Sequence, residues 1–431
     1  MRVGGWGRHP LIDAQLEAPA TPLGAQRLIS GGFEGAPRGR GRSYGDSALA
    51  PWLLSTRWLD LLGDFDPQTG TLSCGAGVSL DTLLSVFVPR GWFLPVTPGT
   101  RYVSVGGAVA CDVHGKNHHQ DGSFCDHVEA LELVLGTGER VRCGPTERPE
   151  LFAATCGGMG LTGLITSVTL RLRPIEGALI DTQTLRCAGL GGLLEAFDAH
   201  ADAPYSVAWV DTLATGASLG RGLLFLGAHA SAGPLRPGRP ARLWVPPGVP
   251  GWALSRPMNH AFNALYYHRP GRAGSGRVHY QPYFYPLDGV RAWNRLYGRA
   301  GFMQYQLALP RVAGAEGLRE ALGLVSASGR GSFLAVLKAF GPGSARPLSF
   351  PIEGYTLTID FKVAPGLEAL LQRLDALVVD HGGRVYLAKD ARLSRDRFRQ
   401  MYPGWEALAE LRARTGADRV FHSLQSRRLG L

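Results

Sequence analysis

Residues 97–119, TPGTRYVSVGGAVACDVHGKNHH, crowd four glycines, three histidines, one lysine and one aspartate into a short stretch. Glycine is needed where backbone takes positive φ or comes close to a ligand. The composition therefore points to a backbone wall pressed against a cofactor. An earlier stretch, RGRGRSYGD (38–46), offers consecutive backbone N–H groups and three arginines. Concave nests of this kind bind phosphate oxygens. Together with SVGGA (104–108), it would grip the two ends of a pyrophosphate.

HGKNHH (114–119), with His127 nearby, invites a metal reading. A zinc site needs three or four convergent ligands with supporting partners. Lys116 interrupts the set and no carboxylate follows at ligand spacing, so no metal is expected. The histidines read better as loop groups that hydrogen-bond a cofactor. GMGLTG (158–163) matches GxGxxG, but a Rossmann loop follows a strand and opens a helix. Here a helical segment precedes and the β-branched run ITSVTL follows, which suits a glycine turn beside a flat ligand. Serine-nucleophile chemistry is unsupported. Lys338 lies inside FLAVLKAF, where an unpaired charge is costly and implies a partner or ligand. Gln304 and Gln306 in MQYQLAL share one strand face and could complete a polar pocket floor. Lys389 follows a short strand in VYLAKDAR; its plain reading is a surface ion pair with Asp390.

These groups need a scaffold. Residues 71–78 read as a strand, and Ser79 caps a helix with Leu80, Leu83, Leu84, Phe87 and Val88 at helical spacing. Residues 128–143 read as a hairpin turning at Gly136–Gly138, 148–155 as a helix and 164–172 as a strand. From about Ile175 the texture changes to a second unit. Strands are predicted at 222–228, 303–309, 333–340 and 355–362, with helices at 313–326 and 366–381. The stretches 230–256 and 268–277, rich in Pro and Gly, read as mobile loops. RVYLA reads as a short strand followed by a helix.

At 431 residues, two domains are the default. No run of 18 apolar residues and no secretory leader is apparent. Six cysteines without a CxxC pair suggest free thiols. A cytoplasmic protein, or one peripheral on a membrane, is the expectation. The net charge of +10 rests on 41 arginines against only four lysines. A solvated basic surface explains it most simply, and attraction to anionic lipid or a phosphorylated substrate is the sharper reading. The dispersed arginines do not suit nucleic acid. A retained lysine, by contrast, marks a place needing a compact, deprotonatable ammonium.

The motifs GWGR (5–8), RSYGD (42–46), PGTRYVSVGGAVACDVHGKNHH (98–119), GSFCDHV (122–128), GGMGLTGLI (157–165), FMQYQ, FLAVLKAFGP and GGRVYLAKDAR together resemble the vanillyl-alcohol-oxidase-type FAD-binding oxidoreductases. The resemblance covers nearly the whole chain. It implies an α+β, two-domain fold, with an FAD domain formed by 1–177 and 384–431 and a substrate domain inserted at 178–383. The cofactor implied is non-covalent FAD. Its contacts would come from Pro37, Arg38, Gly39, Arg40, Gly41, Arg42, Ser43, Tyr44, Gly45, Asp46 and Ser47. Further contacts would come from Gly99, from Ser104, Val105, Gly106 and Gly107, from Cys111, Asp112, Val113 and His114, and from Ile165 and Tyr386. Tyr44, His114 and Lys389 match residues near the flavin ring, and Lys389 would act as base or proton relay. Lys338, Gln304, Gln306, Trp209 and Arg295 match the substrate side. Thr358 stands where mycobacterial members carry a reactive cysteine, and Thr356 replaces a neighbouring asparagine. The His-Trp-Gly-Lys ending of related sugar-lactone oxidases is absent.

The activity implied is oxidation of the C2 hydroxyl of a polyprenyl-phosphoryl ribose to the 2-keto sugar. This is the first half of an epimerisation to an arabinose donor, completed by an NAD(P)H-dependent keto-reductase partner. A flavin oxidase of a soluble alditol or lactone, and a non-catalytic flavin- or lipid-binding partner, remain open as alternatives.

Overall fold

The computed structural model describes residues 1–250, 254–269 and 273–431. The chain is α+β and its site-bearing elements lie in three sheets. The first is parallel, ordered β1-β3-β2, from β1 (Gln15–Glu17), β2 (Ala36–Arg38) and β3 (Trp52–Ser55). The RGRGRSYGD loop leaves the end of β2. Arg38 folds it back by donating to the Ala48 carbonyl at 3.0 Å and the Gly4 carbonyl at 2.8 Å.

The second sheet is antiparallel, ordered β7-β6-β8-β5-β4, from β4 (Leu62–Phe65), β5 (Thr71–Gly75), β6 (Val128–Val134), β7 (Arg140–Cys143) and β8 (Leu164–Arg171). Ser79 caps α1 (Leu80–Phe87), its Oγ accepting from the Thr82 amide at 3.0 Å, and all four apolar positions of its inner face are buried. Ser104 likewise caps α2 (Val105–Ala110), accepting from the Gly107 amide at 3.2 Å. Between α3 (Pro149–Thr155) and β8, Gly157, Met159 and Gly160 all take positive φ. GMGLTG is therefore a turn leading into a strand.

The third sheet has eight antiparallel strands: β9 (Leu179–Cys187), β10 (Tyr205–Val210), β11 (Gly222–His229), β12 (Gly274–His279), β13 (Phe302–Pro310), β14 (Ala335–Phe340), β15 (Gly354–Lys362) and β16 (Arg384–Val385). Their order is β12-β9-β11-β10-β14-β15-β13-β16. Helix α4 (Arg256–His268) precedes β12. Helices α5 (Arg311–Ser328) and α6 (Leu367–Asp380) bury Leu318, Leu322, Leu370 and Leu374 against the sheet. Strand alternation decides the rest. Leu307, Leu309, Leu337, Leu357 and Ile359 join this core, and Tyr305 donates to Asp375 of α6 at 2.9 Å. Gln304, Gln306, Lys338 and Thr358 therefore point to the opposite face.

Three expectations change. Residues 274–277 of the predicted loop belong to edge strand β12, where pairing with β9 supplies what a Gly-Ser-Gly start does not signal. Residues 256–268 form helix α4, whose start falls in the other predicted loop. Positions 251–253 and 270–272 of those loops lie outside the described residues. RVYLA keeps only two residues in strand, and four helices follow, at Arg395–Met401, Trp405–Arg414, Ala417–Val420 and Leu424–Leu429. This tail returns to the RSYGD loop. The amides of Tyr44 and Asp46 donate to the carbonyls of Ala388 and Asp390 at 3.1 and 3.3 Å, and Arg428 pairs with both Asp46 and Asp390.

Candidate active site

One cavity of about 680 Å³ runs from the RGRGRSYGD loop, past α2 and His114, to the open face of the eight-stranded sheet. At the loop end, a Cβ on Gly39 would stand 2.3 Å from Ser104 Oγ, so the two glycine-rich stretches touch. Gly99 has nothing within 4 Å of its Cβ position, and it opens onto the cavity. Met159, Gly160 and Ile165 close one side.

Most of the residues proposed for cofactor contact line this space: Pro37 to Tyr44, Ser47, Gly99, Ser104, Gly106, Gly107, Cys111, Val113, His114, Ile165 and Tyr386. Four stand behind the wall. Gly45 packs so tightly that a Cβ would come within 1.7 Å of the Asp390 carbonyl oxygen. Asp46 is held by Arg428 at 2.8 Å. Val105 is fully buried in the core. Asp112 accepts from Ser349 Oγ at 2.7 Å, from Arg346 at 3.1 Å and from the Cys125 amide at 3.1 Å. These residues shape the loops and do not face the cavity.

At the sheet end, Gln304, Gln306, Trp209, Lys338 and Thr358 line the floor, and Lys389 and Tyr44 the wall. Register brings them together: Gln306 lies opposite Thr358, Gln304 opposite Asp360, and Lys338 opposite Thr356. Arg295 is not in this lining. It stacks on Trp244 and donates to the Val245 carbonyl at 3.2 Å.

His114 is fixed from two sides. Its ring packs on Phe340, Phe350 and Tyr386. Gln306 Nε2 donates to His114 Nε2 at 2.9 Å and to Thr356 Oγ1 at 3.1 Å, and Thr356 in turn donates to the Leu307 carbonyl at 2.8 Å. The ring therefore carries its proton on Nδ1, a buried atom with no protein partner among the described residues. Burial, and then the charge of Lys338, hold its pKa well below the usual imidazole range, so it is neutral. His119 and His127 bond separate backbone carbonyls, those of Ala203 and Asp121.

Of the four lysines in the chain, Lys116, Lys338 and Lys389 all line this one cavity. Lys116 donates to the Tyr283 carbonyl and lies 4.0 Å from that ring's centre. Lys389 Nζ sits 3.8 Å from the centre of the Tyr44 ring, not beside Asp390. Burial pushes Lys389 down to about 7, with Asp360 opposing and Lys338 adding. Burial, and then Lys338, bring Lys116 to about 7. Lys338 itself is lowered by burial to about 8. Arg38, Arg40 and Arg42 line the other end, and Asp288 is the one carboxylate in the lining among the described residues. Such a cavity is built for an anion-bearing ligand.

The sequence reading overlooked two groups. In the sequence Lys116 interrupts the histidine pattern, and the scarcity of lysine is the signal that marks it. Asp360 lies two residues past Thr358, hence on the same strand face. Its carboxylate accepts from Gln304 Nε2 at 2.5 Å and Tyr297 Oη at 3.1 Å, and burial raises its pKa to about 6.

A family model described as an FAD binding domain matches residues 31–144. Decaprenylphosphoryl-beta-D-ribose oxidase of Mycolicibacterium smegmatis is 36% identical, over 100% of this chain and 97% of its own length. The chain belongs to this family of FAD-binding oxidoreductases. An uncharacterized protein of Streptomyces coelicolor is 38% identical over 82% of the chain and its whole length. D-lactate dehydrogenase of Anaerostipes hadrus is 29% identical over only 38% of the chain and 33% of its own length. As an FAD-dependent oxidoreductase of this family, the chain fits its cofactor on three counts. The glycine-rich loops meet where a pyrophosphate needs two nests. The arginines cluster at that end. His114 Nδ1–H is a buried donor without a protein acceptor among the described residues.

Proposed function

We propose that this oxidoreductase oxidises the C2 hydroxyl of a polyprenyl-phosphoryl ribose to the 2-keto sugar. The single observation that carries the reading is the convergence of Lys116, Lys338 and Lys389 on one cavity whose floor is the Gln304–Gln306 face of the sheet. A phosphoryl sugar asks for this pairing of cations with amide and hydroxyl groups. The first half, 1–177, and the tail, 384–431, form the FAD domain, and 178–383 the substrate domain.

FAD, when bound, would supply the two-electron oxidant for the carbinol. Neutral Lys389 takes the hydroxyl proton, so hydride and proton leave the same carbinol and a ketone remains. The lowered pKa places this ammonium near the pH at which it must work. Lys338 and Lys116 neutralise the phosphoryl charge, and Gln304, Gln306 and Thr358 orient ribose hydroxyls. Gln306 also fixes the His114 tautomer, keeping an Nδ1–H donor beside the cofactor. Arg38 to Tyr44, with Gly106 and Gly107, cradle the pyrophosphate. An NAD(P)H-dependent keto-reductase would consume the ketone, and the lipid tail calls for contact with a membrane.

The test is product analysis. Holoprotein incubated with a polyprenyl-phosphoryl ribose and an artificial electron acceptor should yield a product two hydrogens lighter, with the loss on the sugar. An unchanged lipid, alongside oxidation of a soluble alditol or lactone, would refute the substrate assignment.

A further inference from the structure

Helix α4 is amphipathic in the inverted sense. Its inward face is polar: Asn259 donates to the Gly331 carbonyl at 3.3 Å, Asn263 to Asp211 at 2.8 Å, and Tyr267 to the Cys187 carbonyl at 3.2 Å. Its outward face carries Met258, Phe262 and Leu265, which are 46%, 43% and 71% exposed. These three follow helical spacing, so the exposure is one stripe and not scattered surface residues. A helix that satisfies its polar groups inward and shows apolar ones outward lacks its apolar partner.

The surroundings say what that partner is. From residue 212 to 287 the sequence contains no aspartate or glutamate, and residues 230–287 contain seven arginines. Arg256 opens the helix and His268 and Arg269 close it, all exposed. Leu243 and Trp244, in the same carboxylate-free stretch, are 66% and 55% exposed. Apolar side chains flanked by Arg256 and Arg269 complement an anionic lipid surface, where the apolar groups enter the acyl boundary and the arginines meet headgroups, and the Asp181 carboxylate on neighbouring β9 is already paired with Arg277. The mouth of the cavity opens here too. Tyr266 of α4 and Val278 of β12 both line it, and Val278 is 39% exposed.

We infer that the outward face of α4, with the exposed Arg256 and Arg269 at its ends, is the surface by which this protein lies on an anionic bilayer, bringing the cavity mouth to the lipid. The inference rests on the lipid-substrate reading and specifies where the lipid enters. A water-soluble substrate would need no such face.

The experiment is flotation of the full-chain holoprotein with vesicles of phosphatidylglycerol and phosphatidylcholine, against phosphatidylcholine alone. Wild type should float with the anionic vesicles, less so as salt is raised. Met258→Ser with Leu265→Ser should weaken binding at least about tenfold, and Arg269→Glu should weaken it and flatten the salt dependence. All three positions are exposed, and flavin content and thermal midpoint should match wild type. A membrane-free control is flavin reduction by a short-chain, water-soluble polyprenyl-phosphoryl ribose, which these variants should leave unchanged. Protein that floats but is not reduced by that sugar fails the substrate reading alone. Protein that is reduced but does not float, or whose variants float like wild type, overturns the membrane face.

Discussion

Lys389 gives the sharpest quantitative test of the mechanism. Its ammonium is held at about 7 by burial, with Asp360 partly opposing. At pH 7 about half of the molecules then carry the neutral amine, and at pH 6 about a tenth, whereas an unperturbed lysine near 10.4 would be neutral in only about one molecule in 2,500 at pH 7. Burial therefore raises base availability by roughly a thousandfold. The sign follows: the base works when deprotonated, so its contribution grows as pH rises through 7 and saturates above it. Stopped-flow reduction of the enzyme's flavin under anaerobic conditions reads the step directly. The rate should rise about tenfold per unit below pH 7 and level off by about pH 8. Lys389→Met should keep its flavin and lose about 10² to 10⁴ in that rate. A rate that is flat with pH across this range, or a Lys389→Met variant reduced at the wild-type rate, would refute the assignment.

Other consequences are more local. Asp360→Asn removes the carboxylate that opposes the lowering of Lys389, so the pH limb of flavin reduction should move to lower pH; an unmoved limb would mean the two groups are not coupled. Gly45→Ala would place a Cβ 1.7 Å from the Asp390 carbonyl oxygen, and overpacking of this kind costs about 1–3 kcal/mol; calorimetry should show a lower thermal midpoint, with earlier release of FAD. Thr358→Cys puts a thiol in the cavity lining, so mass spectrometry should detect one added alkyl group relative to wild type after brief treatment with a thiol reagent, and prior substrate should protect it. Gln306→Leu removes the donor that sets the His114 tautomer; FAD affinity should fall while the fold persists, as measured by flavin fluorescence on titration.

What the sequence disclosed, and what it hid, follows from how local each feature is. The RSYGD loop, the Ser79 cap and the β6–β7 hairpin rest on residues adjacent in the chain, so their types announce them. Lys338 was legible because a cation inside FLAVLKAF has nowhere to go but a partner or ligand. Strand β10 went unseen because all six of its residues are buried, which erases the alternation that marks a strand. Edge strand β12 went unseen because its backbone pairing with β9, and not its glycines, makes it a strand. Lys116 and Asp360 were missed since their significance lies in cross-chain neighbours: Tyr283 for one, Gln304 and Tyr297 for the other. Arg295 was expected on the substrate side, yet the packing of residues 293–297 turns it toward Trp244. Gly45, Asp46, Val105 and Asp112 belong to motifs whose neighbours face the cavity, while they themselves brace the loops from behind.

The central claim is that this cavity joins FAD to a phosphorylated, lipid-linked ribose. Anaerobic mixing of the purified holoprotein with decaprenylphosphoryl ribose tests it most directly. The oxidised flavin absorbance should bleach in a single turnover, with one equivalent of substrate per flavin. Flavin that stays oxidised with this lipid, while a soluble alditol or lactone bleaches it, would contradict the account.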